Sequence, residues 1–195
     1  EWYRVPKKDI ALMPDWDNKL KKMIESVSKN NIVSLSGVPS WMMLLLKGVI
    51  EYTGKKIEDV WPNIEAYFHG GVSFKPYRKQ YEELLPKSMN YMETYNASEG
   101  FFGLQDRTDL DSLLLLLDYG IYYEFIPFED LEKSDKRVLP LADVEIGKNY
   151  AMVISTNGGL WRYMIGDTIC FTEKAPYRFK ITGRTKNYIN ACGEE

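Results

Sequence analysis

Between residues 17 and 28 the apolar positions Leu20, Met23, Ile24 and Val27 recur three and four apart, with lysines between them. That spacing is one face of a helix, and Asn30-Asn31 ends it. The apolar run 32–35 then predicts a short buried strand, and Ser36-Gly37-Val38-Pro39-Ser40 turns the chain into a second helix over 41–52, apolar all round. Pro39 suits the first helical turn, where its missing N–H costs nothing, and Gly54 stops the helix. A second strand over 64–68 leads into His69-Gly70-Gly71. A helix over 77–85 is closed by Pro86, and a third strand spans 89–95. Strand and helix alternate, which predicts a mostly parallel sheet with helical cover.

After Gly103 the pattern changes. Runs at 112–117, 121–126, 149–155, 160–163, 168–171 and 177–182 read as strands, with Asp118-Tyr119-Gly120 and Asn157-Gly158-Gly159 as hairpin turns. The five leucines 113–117 read as a buried strand, favoured over a helix by the flanking Asp-Gly turn. An antiparallel sheet or barrel is expected here, giving an α/β (α+β) chain with an α/β part over 1–110 and an antiparallel part over 111–185.

Composition narrows the picture. The 195 residues are 45% apolar and 27% charged, ordinary for a globular protein. A formal net charge of −3 offers no general field for nucleic acid or an anionic membrane, and Lys19, Lys21 and Lys22 read as a solvated helix face. Two cysteines, Cys170 and Cys192, make neither a disulfide framework nor a zinc site, so a reducing, cytoplasmic setting is expected. The longest apolar run, 41–46, is far short of a membrane span, and no signal peptide opens the chain. Both ends read as interior stretches of something longer.

Loops at the carboxyl ends of strands are where α/β sheets bind ligands, and two loops qualify: His69-Gly70-Gly71 and the stretch Asn96 to Gly100. Glycines admit a ligand close to the backbone, and Glu99 beside them can hold a hard cation; a plain turn and a solvated carboxylate are the alternatives. A covalent role for Ser98 lacks support, because no G-x-S-x-G elbow exists and His69 is the sole histidine. No G-x-G-x-x-G, P-loop or H-E-x-x-H motif occurs. In Gly159-Leu160-Trp161-Arg162-Tyr163-Met164-Ile165-Gly166-Asp167, Gly166 is expected to break the strand and free Asp167 to accept hydrogen bonds from vicinal hydroxyls; an Asp in a turn is the rival reading. Arg184, after the strand 177–182, offers a planar fork for hydroxyl or phosphate oxygens, or is a surface turn residue.

Taken in order, "WPNIEAYFHGGVSFKPYR", "YNASEGFFG", "GGLWRYMIGD" and "GRTKNYINACGEE" resemble the adenylate-forming acyl acid–amido synthetases related to plant auxin- and jasmonate-conjugating enzymes. These belong to the firefly-luciferase-like acyl-adenylating superfamily. The resemblance runs from about residue 41 onward. It implies that Gly70, Gly71 and Val72 line the adenine and acyl-acid side of a pocket. It also implies that Tyr95 packs on the adenine, that Asn96 and Ala97 give backbone contacts, and that Ser98 sits near the α-phosphate. Glu99 would bind Mg²⁺, Asp167 would hold the ribose hydroxyls with help from Arg184, and Lys186 would fall at a hinge, 186–195, to a C-terminal lid. A Ser/Thr/Gly-rich phosphate loop and the lid itself are not found, so the fragment alone is expected to be inactive. The implied substrates are ATP with Mg²⁺, a carboxylic acid and an amine, such as an amino acid; no nucleic acid and no membrane are implied. An acyl–coenzyme A ligase and a non-catalytic nucleotide-binding domain stay open as alternatives.

Overall fold

The computed structural model describes residues 4–186. Cys192 and the hinge segment after Lys186 therefore lie outside the described residues. The chain forms two compact units, one ending at Met92 and the other beginning at Glu93.

In the first unit, α1 (Lys8–Ala11) precedes α2 (Trp16–Val27), whose start is capped by the Asp15 carboxylate accepting from the Asn18 N–H at 2.8 Å. Strand β1 (Ser34–Ser36) runs parallel to β2 (Ala66–His69), pairing Ser34 with Ala66 and Ser36 with Phe68. Between them lie α3 (Pro39–Thr53) and α4 (Ile57–Val60), and α5 (Arg78–Leu84) follows β2. Gly54 ends α3 at φ +66°, the left-handed stop that glycine adopts without a Cβ penalty. Leu46, Val49, Ile57, Trp61, Tyr67 and Tyr81 are fully buried in one core, and the Trp61 indole donates to the Val27 carbonyl at 3.0 Å. The apolar run at 32–35 overstates the strand: β1 starts at Ser34, and Val33 is 45% exposed. Two four-residue helices, α1 and α4, are too short to leave a periodic pattern.

The second unit is antiparallel throughout. Strand β3 (Asn90–Ala97) enters it at Glu93, followed by β4 (Gly100–Leu104), β5 (Leu113–Leu115), β6 (Ile121–Pro127), β7 (Leu139–Pro140), β8 (Asn149–Thr156), β9 (Tyr163–Lys174) and β10 (Tyr177–Arg184). The strand order is β3-β4-β5-β10-β9-β8-β6-β7. Strands β5 and β6 are thus not neighbours, and Asp118-Tyr119-Gly120 starts a crossover instead of closing a hairpin. Asn157-Gly158-Gly159 does turn between paired strands. The strand expected at 160–163 begins at Tyr163, because the turn extends through Arg162. That residue adopts φ +48° and donates its N–H to Ser155 Oγ at 2.9 Å. Gly166 (φ +96°) does not end β9 either. The strand continues to Lys174, and the irregularity is taken up against β8, between the pairs Ala151–Thr168 and Val153–Met164.

One face of this sheet buries Phe102, Phe125, Tyr150, Met152, Phe171 and Phe179. On the other, Ile126, Ala151 and Val153 are covered by Leu131 and Val138, so β8 is buried on both faces. Gly103 is required by this packing. A Cβ there would lie 2.8 Å from Phe179 Cζ and 3.1 Å from the Leu114 carbonyl oxygen, and the fully buried Phe179 ring has nowhere to move. Gly103→Ala is expected to lower stability by about 1–3 kcal/mol through overpacking. Urea unfolding should show a lower midpoint at an unchanged slope; an unshifted midpoint would mean the ring gives way.

Candidate functional site

The β3–β4 hairpin turns on Ser98-Glu99, and at Gly100 a Cβ would approach Ile121 Cδ1 to 2.9 Å and Phe102 Cε1 to 3.0 Å. A register shift between Tyr95 and Asn96 separates two environments. Asn96, Ala97 and Ser98 are exposed, while Tyr95 is 6% exposed, its ring centroid 5.1 Å from that of Phe102 and 6.0 Å from that of Phe179.

The Tyr95 hydroxyl leaves this apolar setting to donate to Asp167 Oδ2 at 2.5 Å. On the other carboxylate oxygen, Arg184 Nε lies 3.3 Å from Oδ1, and the two residues pair across β9 and β10. The Thr185 N–H donates to the Gly166 carbonyl at 2.7 Å, fixing the backbone just before the aspartate. Burial, then the charge of Asp167, pushes the Tyr95 hydroxyl far above the usual phenol range, so it stays a donor. The Glu99 carboxylate also acts on a second phenol, raising the Tyr163 hydroxyl above its usual range. Glu99 also acts at Tyr95, more weakly than burial and Asp167.

Tyr95, Glu99, Asp167 and Arg184, picked out in the sequence, thus gather in the second unit, with Asn96, Ala97 and Ser98 on the same hairpin. Lys186 follows Arg184 by two residues and is exposed. Tyr163 was missed as a site residue. No local signal marks it: it stands four residues before Asp167, but the irregularity around Gly166 breaks the alternation that would set the two on a common face.

No group of three or more His, Cys, Asp or Glu side chains forms a metal cage among the described residues. One part-exposed carboxylate fits Mg²⁺ bound with waters and substrate phosphates, the usual arrangement for that ion, and does not fit a metal held by protein ligands alone.

Gly70, Gly71 and Val72 belong to the first unit, in the loop at the carboxyl end of β2. Gly71 takes φ +82°, and a Cβ there would sit 3.5 Å from Val38 Cγ2. The loop after β1 is tied to β2 by Gly37 N–H donating to Phe68 O at 3.1 Å and by the Tyr67 hydroxyl donating to Gly37 O at 2.9 Å. Tyr81 fixes the start of α3 by donating to Pro39 O at 2.7 Å. Gly71 and Val38 therefore meet where two parallel strands end, as ligand loops do in α/β sheets.

His69 is buried at the end of β2 and stacked on Phe74 at 4.1 Å. Burial first, and the Arg78 charge second, lower its pKa from 6.5 to about 4. The folded imidazole is neutral at pH 7 and serves as packing, not as a charged group. Because the unfolded chain takes up this proton at the higher pH, stability should fall as pH drops from about 6.5 to about 4 and gain no further loss from this group below that. The single histidine makes the check direct: its ring-proton NMR shift should titrate near 4, and a midpoint near 6.5 would contradict the burial.

Two descriptions of one family match the chain: the "GH3 family N-terminal domain" over residues 1–89 and the "GH3 family central domain" over residues 114–184. The indole-3-acetic acid-amido synthetase GH3.3 of Arabidopsis thaliana is 30% identical over 143 residues, covering 68% of this chain and 23% of that protein. The chain therefore spans about a quarter of the length of this curated relative. Among solved structures, GH3.15 acyl acid amido synthetase superposes with a TM-score of 0.70 at 16% identity, over 98% of this chain and 44% of the other. A 2-hydroxyisobutyryl-CoA ligase, bound to its acyl-adenylate and CoA, superposes with a TM-score of 0.65 at 15% identity, over 92% of this chain and 42% of the other. These two likenesses show the fold, a mixed α/β one. No helix of the described residues is long and apolar enough to cross a membrane.

Proposed function

The chain belongs to the GH3 family, and on that premise we propose that the complete protein carrying it adenylates a carboxylic acid with ATP and then transfers the acyl group to an amine, such as that of an amino acid. The observation that carries this reading is the Asp167 carboxylate, held by Tyr95 and Arg184 beside the Glu99 hairpin.

In the first step a carboxylate oxygen of the acid attacks the α-phosphorus of ATP. The bond to the bridging oxygen breaks, leaving an acyl-adenylate and pyrophosphate. In the second, the amine nitrogen attacks the acyl carbon, loses a proton and expels AMP. Neither step needs a protein nucleophile, so positioning and charge neutralisation dominate. Asp167 accepts the ribose hydroxyls and Arg184 steadies it. Tyr95 lies under the adenine, with Asn96 and Ala97 giving backbone contacts and Ser98 near the α-phosphate. In the first unit, Gly70, Gly71 and Val72 form the loop at the carboxyl end of β2 proposed for ligand contact. Glu99 would hold Mg²⁺, which neutralises phosphate charge when bound. Lys186 begins the hinge to a lid.

A second reading, acyl transfer to coenzyme A, is favoured by the fold shared with a CoA ligase. Incubating the complete protein with ATP, Mg²⁺, indole-3-acetate or another candidate acid, and each acceptor separates the two. An amide with release of AMP supports the first and a thioester the second. Acid-independent ATP turnover, or none with any acid, opposes both.

A further inference from the structure

Tyr95 carries a second feature that a stacking aromatic does not need. Its ring is wedged against Phe102 and Phe179, both fully buried, and sits across the strand pair from Gly103, where the absence of a side chain admits Phe179. The core thus fixes where the hydroxyl points, and it points at Asp167 Oδ2. An aspartate carboxyl rotates in a broad, nearly two-fold well unless something locks it. Here Tyr95 holds one oxygen and Arg184 approaches the other at 3.3 Å, on a side chain 13% exposed.

We propose that Tyr95 is a positioning residue for the ribose: its hydroxyl locks the Asp167 carboxylate so that one lone pair on each oxygen stays open for the two vicinal hydroxyls of the nucleotide. An ionised carboxylate offers about four acceptor sites. With one taken by Tyr95 on Oδ2 and Arg184 facing Oδ1 only as an ion pair, each oxygen keeps an open site, which matches a cis-diol. Without the phenol, the carboxylate turns toward the cation and water, and the nucleotide must reorient it on binding. That orientation cost falls on the hydroxyl contacts and not on the base or the phosphates.

This inference rests on the adenylation reading, and the test separates their failures. Calorimetry on the complete protein compares ATP with 2′,3′-dideoxy-ATP. The intact protein should prefer ATP by about 100-fold, as expected for two hydrogen bonds to a charged acceptor. Tyr95→Phe keeps the ring and should bind dideoxy-ATP as tightly as the intact protein, while its preference for ATP falls about tenfold. Placing 4-aminophenylalanine at position 95, which returns a donor to the same spot, should restore the preference. It also decides the matter if the phenylalanine variant does not fold. Equal weakening of both nucleotides in Tyr95→Phe would overturn the proposal, as would an unchanged preference or a folded 4-aminophenylalanine protein with none. An intact protein that binds no ATP overturns the adenylation reading itself, and this inference with it. An intact protein that binds both nucleotides alike overturns the inference while the adenylation reading stands.

Discussion

Replacing Asp167 with alanine is expected to lower carboxylate-dependent ATP–pyrophosphate exchange in the complete protein by about 100-fold. Two hydrogen bonds from ribose hydroxyls to an ionised carboxylate contribute about 3 kcal/mol together, which corresponds to that factor. The substitution also strands the buried Tyr95 hydroxyl, at a cost of about 1–3 kcal/mol in stability. Arg184, at 42% side-chain exposure, turns to water with little loss. Asp167→Asn separates the two effects. The amide still accepts from Tyr95, so its melting temperature should stay near that of the intact protein while exchange falls. A melting temperature that falls as far in Asp167→Asn as in Asp167→Ala, with exchange intact, would make the aspartate structural.

Glu99→Gln should produce the second large effect. The side chain is part-exposed at a two-residue turn, so its charge contributes little to folding. As the carboxylate proposed for Mg²⁺, its loss removes the charged oxygen that the hard cation requires, while the glutamine amide keeps size and can still meet Tyr163. Exchange at fixed Mg²⁺ should fall about 10- to 100-fold and recover partly at higher Mg²⁺, with the thermal midpoint unchanged. Matching losses in exchange and stability, insensitive to Mg²⁺, would assign Glu99 to the turn alone.

The helices α2, α3 and α5 were legible because period and punctuation agree: Leu20, Met23, Ile24 and Val27 on one face, Pro39 at one end and Gly54 at the other. The antiparallel second half was legible from its short apolar runs and turns. What the sequence did not disclose was which strands pair. Asp118-Tyr119-Gly120 has hairpin composition, yet β5 finds β10 and β6 finds β8, a choice made by the burial of Leu113, Phe179 and Phe125 and not by the local turn. Gly166 was correctly noticed and wrongly interpreted. A positive-φ glycine can end a strand or bend it within the ladder, and only pairing with the neighbouring strand decides.

The site divides in the same way. Glu99, Asp167 and Arg184 stood out because charged groups beside glycines are local features. The Tyr95–Asp167 bond was not legible, since it joins residues 72 apart through a register that depends on the entire strand order. Tyr163 was hidden for a simpler reason: a tyrosine in a strand is ordinary until the hairpin carrying Glu99 is brought up to it.

The most direct test of the central claim is calorimetry of the complete protein with an acyl-sulfamoyl adenosine, a stable mimic of the acyl-adenylate, before and after Asp167→Asn. The intact protein is expected to bind it tightly, and the folded variant about 100-fold more weakly. Equal affinity in both, or no binding by the intact protein, would contradict it.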